Sequence, residues 1–209
     1  MTDPASELSS DQAATLHHYV DLLLDINTRI NLISRKDTGE VYDRHVRHSL
    51  AIATKDFPDG CTVVDWGTGG GLPAIPLAIR FPDITVVAVD SIGKKTRAVS
   101  EMAEKLALTN LVVWNGRAEE WRGKAHYSVS RATAKLAKLW RWHKRIRIPI
   151  EAPPECWAGG LICLKGGDLS AEIAALEQVD SRVQVEMRSL ADVAPGFPDK
   201  QLLHVGAIR

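Results

Sequence analysis

The sequence predicts an α/β fold: a doubly wound, mostly parallel sheet covered by helices on both faces, with an N-terminal helical extension. Three observations carry that prediction. From Cys61 onward, short strand-like and helix-like runs alternate. The apolar run Val63-Val64-Asp65-Trp66 meets a glycine-dense turn, Gly67-Thr68-Gly69-Gly70-Gly71, and then a helical pattern beginning at Leu72. Ahead of Cys61, apolar residues recur at helical spacing.

In chain order, residues 1–9 read as a loose tail. Ser9 or Ser10 caps a first helix with Asp11 in its first turn, and Leu16, Val20, Leu23, Ile26 and Ile30 follow at helical spacing. A second helix covers 40–55, with Val41, Val46, Leu50 and Ala53 on its apolar face. The turn Phe57-Pro58-Asp59-Gly60 closes this prelude. The expected organisation is an extension over 1–58 and a sheet-bearing core over 59–209, together one compact unit. Strands are expected at 61–66, 84–89, 111–115, 126–130 and 160–165, and helices at 72–80, 94–107, 132–146 and 169–179. Two further strands, 183–188 and 201–208, flank a loop marked by Pro195, Gly196 and Pro198. They are expected as a hairpin-like pair at the sheet edge.

Composition narrows the class. With 45% hydrophobic and 25% charged residues, the chain has the make-up of an ordinary globular domain. No apolar run approaches the ~18 residues of a membrane span. Met1-Thr2-Asp3-Pro4 lacks the layout of a signal peptide, so a cytoplasmic location is expected and no membrane partner. Cys61, Cys156 and Cys163 have no paired spacing; Cys61 and Cys163 read as small core residues, and no disulfide framework is expected. His45 and His48 lack an evident third ligand, so no metal site is expected. Net charge is zero, but Arg131 to Ile150 carries Arg131, Lys135, Lys138, Arg141, Lys144, Arg145 and Arg147 with no acid. Arg35, Lys36, Arg44 and Arg47 form a second basic group. Such faces bind phosphate even where the total cancels.

In a sheet of this kind a ligand sits beyond the carboxyl ends of the strands. Those ends carry Asp65 and Gly67, Asp90, Gly116 to Glu119, Ser130-Arg131, and Lys165-Gly166. The glycine turn permits close backbone approach to a nucleotide-shaped ligand. A dinucleotide fingerprint wants a third glycine where Leu72 stands, which weighs against a nicotinamide oxidoreductase. S-adenosylmethionine fits better: it has no pyrophosphate, and its ammonium welcomes an acid such as Asp65. Asp65, Gly67, Gly69, Gly71, Leu72 and Asp90 are therefore cofactor candidates. Asp90 either accepts ribose hydroxyls or caps the following helix, and Asp65 either touches the ligand or holds the turn.

The ordered pieces resemble the bacterial small-subunit rRNA methyltransferase G family, also called glucose-inhibited division protein B. They are Asn31-Leu32-Ile33, Arg44-His45, Asp65-Trp66-Gly67-Thr68-Gly69-Gly70-Gly71-Leu72-Pro73, Asp90-Ser91-Ile92-Gly93-Lys94-Lys95, Gly116-Arg117-Ala118-Glu119-Glu120, Ser130-Arg131-Ala132 and Leu164-Lys165-Gly166. The resemblance covers 31 to about 173. It implies a Rossmann-like class I S-adenosylmethionine-dependent methyltransferase fold and methyl transfer to N7 of a guanine in 16S rRNA. It carries Gly67, Leu72, Ala118, Glu119 and Arg131 as cofactor contacts. His48, Trp66 and Ala74 depart from the family pattern, which usually has an acid, a small aliphatic residue and a glycine there.

Guanine N7 has a free lone pair, so alignment and exclusion of water matter more than an acid–base pair, and no general base is expected. Arg131 and Lys165 are the alignment and docking candidates. The fourth strand leads into Ser130-Arg131-Ala132 rather than the motif of an exocyclic-amine methyltransferase, and Cys156 is an unpersuasive nucleophile. Lys135, Lys138, Arg141 and Arg145 share one helical face, either as solvated surface or as contacts to RNA phosphates. Trp66, Trp114 and Trp157 read as packing, whereas Trp140 and Trp142 either pack or stack on bases. The expected partner is 16S rRNA or the 30S particle, and a monomer is expected. The alternatives are a small-molecule methyltransferase and a non-catalytic RNA-binding assembly factor.

Overall fold

The computed structural model describes residues 4–207 except 132, 193 and 195, and all but the side chain of Arg35 among them. Residues 1–3, Ala132, Pro195, Ile208 and the Arg35 side chain, each used in reading the sequence, lie outside the described residues. A seven-stranded sheet has the order β3-β2-β1-β4-β5-β7-β6. Its strands are β1 Thr62–Trp66, β2 Thr85–Asp90, β3 Leu111–Asn115, β4 Tyr127–Arg131, β5 Gly160–Gly166, β6 Val183–Ser189 and β7 Lys200–Ala207. The first five run parallel, and β7 is antiparallel to both β5 and β6. The last two strands form the expected antiparallel pair at the sheet edge, with β7 next to β5 and β6 outermost. The burial pattern explains the order, since Leu202 to Val205 of β7 are buried while β6 alternates between half-buried and exposed positions.

Strand alternation sorts the core into two layers. Val63, Val86, Ala88, Tyr127 and Val129 face one side, where the N-terminal helices, α3 (Ala74–Arg80) and α4 (Gly93–Lys105) pack. Val64, Trp66, Val87, Val89 and Cys163 face the other, covered by α5 (Leu136–Ile146) and α6 (Ser170–Val179). Cys61 and Cys163 are buried, as is Cys156, and all three are free.

The extension is more ordered than its sequence suggests. Pro4–Glu7 forms a 3-10 turn with Pro4 buried, and Ala5 and Leu8 pack on the core, so 4–9 is not a loose tail. α1 (Ser10–Asn27) opens on a capping box: Ser9 Oγ accepts from the Gln12 amide at 3.1 Å, and Gln12 Oε1 accepts from the Ser9 amide at 3.0 Å. At its far end Asn27 Oδ1 accepts from the amides of Leu32 and Ile33, at 2.8 and 3.0 Å, and fixes the turn that follows. The second helix is not one regular α-helix. A π-helical stretch, Tyr42–Arg47, leads into the short α2 (His48–Leu50) and a 3-10 turn, Ala51–Thr54. Within it Ser49 Oγ donates to the carbonyl of His45 at 2.7 Å.

Helix α5 begins at Leu136, four residues later than the pattern predicts. Its first amide has no cap from its own segment; Glu172 Oε2, from α6, accepts from Leu136 N at 2.9 Å. The residues before it are held back toward the glycine turn, where Thr133 Oγ1 lies 3.4 Å from the Gly67 carbonyl.

Candidate functional site

The carboxyl ends of β1, β2 and β4 meet at the point where the strand order reverses. The β1 end turns sharply at Gly67, Gly69 and Gly71, with φ of +75°, +59° and +90°. These are left-handed values that a side chain resists. Gly69 is also open: a Cβ there would meet nothing closer than the Gly67 carbonyl at 3.9 Å. A Cβ on Gly67, by contrast, would drive into Thr133. The turn is pinned from β2, whose Val89 carbonyl accepts from Gly67 N at 2.8 Å and Thr68 N at 3.0 Å. It is pinned from the extension too, where the Tyr19 hydroxyl donates to the Gly70 carbonyl at 2.8 Å.

Asp90 ends β2 with 9% of its surface exposed. Its Oδ2 accepts from Gly69 N at 3.0 Å and its Oδ1 from Ile92 N at 2.9 Å. Each oxygen keeps a second lone pair. The two readings of Asp90 are thus compatible: it organises the start of α4 and still faces the turn.

Asp65 is different. It has no exposed surface, and its Oδ2 accepts from Ala74 N at 3.3 Å. Its Oδ1 is buried without a hydrogen-bond partner, as is the Thr68 hydroxyl close by. Burial pushes the carboxyl up to about 7, opposed by Thr68, the Ala74 amide and the charge of Arg131. An enclosed Asp65 holds the turn to α3 rather than meeting a ligand at the surface. Ala74 is buried and supplies that amide. Leu72 is likewise buried, at 3% exposure.

Arg131, the last residue of β4, is half-buried on the same face as Asp65. Its Nη1 lies 2.8 Å from His45 Nδ1. Burial lowers its pKa, while Tyr19, Asp65 and Asp37 raise it. His48, the second departure, is buried and stacks on Phe197 at 5.0 Å. Burial first, then the charges of Arg131 and Lys200, hold its imidazole down to about 3. A neutral ring in this position adds no charge beside Arg131.

Around Ala118 and Glu119 the structure draws in two of the four basic candidates. Lys138 Nζ stands 3.3 Å from Glu119 Oε1 and 5.0 Å above the Trp142 ring. Arg145 donates to the carbonyls of Ala118 and Glu119. Lys135 and Arg141 are exposed and have no ion pair among the described residues. Lys165 is not available for docking: only 9% exposed, its Nζ donates to the Ala134 carbonyl at 2.8 Å and pairs with Glu172 at 2.9 Å.

Trp66 is explained by the second core layer. Fully buried, it meets Trp121 edge-on at 5.8 Å and Trp142 at 5.7 Å, and its Nε1 donates to Ser128 Oγ at 3.0 Å. Trp140 and Trp142 are buried, at 1% and 9% exposure, so they pack rather than present a face to bases. Among the described residues no group of His, Cys, Asp and Glu is arranged to hold a metal ion.

Sequence reasoning missed Tyr19, and it weighed His45 only as part of its motif and as a metal ligand beside His48. A tyrosine three residues after Leu16 on a buried helical face needs a partner for its hydroxyl, and that was the available signal. Nothing local pairs His45 with a residue 86 positions later.

A family model described as rRNA small subunit methyltransferase G matches residues 12–195. The ribosomal RNA small subunit methyltransferase G of Salinibacter ruber is 53% identical over 191 residues, covering 91% of this chain and 89% of that one. The protein of the same name from Christiangramia forsetii is 44% identical over 167 residues, covering 79% and 78%. Among solved structures, precorrin-6y C5,15-methyltransferase from Geobacter metallireducens superposes with a TM-score of 0.59 at 10% identity, covering 86% and 92%. TYW2 from M. jannaschii, solved with AdoMet, gives 0.58 at 16% identity, covering 78% and 76%. At those identities the structural likenesses speak for the fold alone.

Proposed function

Since the chain belongs to the rRNA small subunit methyltransferase G family, we propose that it transfers a methyl group from S-adenosylmethionine to N7 of a guanine in 16S ribosomal RNA. The observation that carries this reading is the meeting of three features at one end of the sheet: the positive-φ turn Gly67–Gly71, Asp90 against it, and Arg131 beside it. The residues suit the cofactor. Gly69 leaves backbone open next to a carboxylate, and Asp90 keeps lone pairs for the ribose hydroxyls. Ala118 and Glu119 would take the adenine, one by packing and one at its edge. Gly67, Gly69, Gly71 and Leu72 would shape the turn around it, with Asp65 bracing that turn from beneath.

When bound, S-adenosylmethionine supplies an electrophilic methyl group on a sulfonium. Guanine N7 carries its lone pair free at neutral pH, so no side chain has to take a proton. The task left to the protein is to hold the base in line and keep water away. Arg131, its guanidinium oriented by His45, is the group we assign to that alignment. Lys135 and Arg141 are assigned to phosphate contacts along the RNA. The substrate is 16S rRNA, free or within a 30S particle, and the enzyme works as a cytoplasmic monomer. Among the described residues no helix is long and apolar enough to cross a membrane.

The test is direct. The protein is incubated with methyl-labelled S-adenosylmethionine and small ribosomal subunits from cells lacking this gene, and the digested RNA is analysed by mass spectrometry. A single labelled 7-methylguanosine is expected; no label in rRNA would overturn the reading.

A further inference from the structure

At the opposite end of the sheet from the glycine turn lies a cavity of about 500 Å³, lined among others by His126, Trp140, His143, Arg147, Ile148 and Ile150. It opens where β4 and β5 begin and β7 ends, so the site described above does not include it. Its volume falls within the range of small-ligand sites.

The lining is chemically one-sided. It contains no acidic side chain, and its one full charge is Arg147, exposed and without an ion pair among the described residues. The two imidazoles are fixed in the same tautomer by the bonds behind them. The Thr62 amide, which can only donate, gives its hydrogen to His126 Nδ1 at 2.9 Å. The proton of neutral His126 is therefore on Nε2. Behind His143, Trp66 Nε1 donates to Ser128 Oγ at 3.0 Å, and Ser128 Oγ lies 3.0 Å from His143 Nδ1. The Ser128 hydroxyl is fully buried, and among the described residues its hydrogen finds one acceptor, that Nδ1. With the Ser128 hydroxyl donating to Nδ1, the proton of His143 sits on Nε2. Burial and the nearby charge of Arg147 hold this ring down to about 3, which keeps it neutral.

Among the described residues the hydrogen bonds of both rings run through Nδ1, and neither Nε2 takes part in one. The scaffold beneath them is firm: Ala125 bridges to Arg147, Ala125 N donates to the Ile146 carbonyl at 3.1 Å, and Ile148 N donates to the Ala125 carbonyl at 2.9 Å. His126 and Arg147 therefore sit on tied segments. Two neutral N–H donors and a guanidinium fork around one space form a receptor for an oxyanion, and the fork matches phosphate bidentately. The volume left over, walled by Ile148, Pro149, Ile150 and Trp140, accommodates an apolar or aromatic group joined to that anion.

We propose that this cavity is a second nucleotide site: it takes the phosphate of a nucleotide on His126 Nε2, His143 Nε2 and Arg147, remote from the methyl-transfer site. The nucleotide is either a free monophosphate or a unit of an RNA strand. The proposal does not depend on the methyl acceptor assigned above.

The test uses the full chain saturated with S-adenosylhomocysteine, so that the glycine-turn site cannot take the probe. Adenosine monophosphate and inorganic phosphate are titrated by calorimetry. Both are expected to bind, the nucleotide more tightly. Arg147→Ala and His126→Asn, at positions that are not fully buried, should each weaken the nucleotide by about tenfold or more, as loss of a charge-assisted or otherwise unpaired hydrogen bond does. Affinity for S-adenosylhomocysteine should not move, which also certifies the fold. Binding of neither probe, or binding that both variants leave unchanged, overturns the proposal. Filter binding of a short 16S-derived RNA then identifies the source. An Arg147→Ala deficit in RNA binding assigns the site to an RNA phosphate, and intact RNA binding assigns it to the free nucleotide.

Discussion

Arg131 Nη1 donates to His45 Nδ1 across 2.8 Å, joining the end of β4 to the helical extension. An arginine cannot accept, so His45 keeps its own proton on Nε2, which stands 3.5 Å from Asp37 Oδ2. Asp37, His45 and Arg131, each half-buried, form a line that sets where the guanidinium points. His45→Ala should cut kcat/KM for rRNA methylation while leaving the cofactor Kd within about twofold, and His45→Gln, whose amide oxygen can still accept, should recover part of it. Equal activity in all three proteins would show that Arg131 needs no such support.

Asp90→Ala should weaken S-adenosylmethionine by ~1.5–3 kcal/mol, the usual worth of hydrogen bonds to a charged group. The same change frees the amides of Gly69 and Ile92, so the melting temperature of the unliganded protein should fall as well. Calorimetry on the variant checks the first effect. An unchanged cofactor affinity would end the ribose assignment.

Gly67→Ala meets two obstacles at once, a φ of +75° and the Thr133 side chain. The left-handed conformation alone costs about 1–2 kcal/mol for a residue with a Cβ. Pairing it with Thr133→Ala removes the two closest clashes, with Cγ2 and Oγ1, but not the backbone cost. The double variant should therefore regain part of the lost stability and cofactor affinity. No difference between single and double variants in a thermal melt would contradict the contact.

The four basic residues of α5 and its N-cap should separate into two pairs. Reversing Lys135 and Arg141 should weaken RNA and flatten the salt dependence of binding while sparing the cofactor. Reversing Lys138 and Arg145 should damage cofactor affinity too, because these side chains hold Glu119 and the Ala118–Glu119 carbonyls. Identical behaviour of the two pairs in RNA and cofactor titrations would refute the division.

Stability should rise with pH below neutrality. His48 and His143 are held down to about 3 by burial, so between roughly pH 3 and 6.5 the unfolded chain binds two protons that the folded chain excludes. Their contribution is fully present above about pH 6.5 and is lost as pH falls. Asp65 acts in the opposite sense: raised from 3.8 to about 7, it keeps a proton in the fold that the unfolded chain releases. Its contribution is lost as pH rises through that range. Two histidines against one aspartate leave a slope of about 1.4 kcal/mol per pH unit between roughly pH 4 and 6.5. His45, His126 and His204 lean the same way as the first two. Urea denaturation across that range measures the slope, which Asp65→Asn should steepen.

Much of this fold is legible in the sequence because its signals are local. All seven strands fall within about a residue or two of the alternation pattern, and Ser9 caps α1 as its spacing foretells. The misreadings come from long-range partners. The start of α5 depends on Glu172, which is 36 residues away. The site divides in the same way. Gly67, Gly69 and Asp90 announce themselves by residue type and position. Lys165 looks identical to a docking lysine until Glu172 is seen beside it, and Asp65 until its enclosure is seen. Trp66 reads as an anomaly until the indoles of Trp121 and Trp142 surround it.

The insertion of β7 between β5 and β6 bears on how the molecule is made. During synthesis β6 emerges before the strand that must separate it from β5. Both edges wait for Lys200–Ala207, so the sheet closes only after that segment has left the ribosome. A nascent chain stalled short of it would hold the glycine turn on an unfinished sheet.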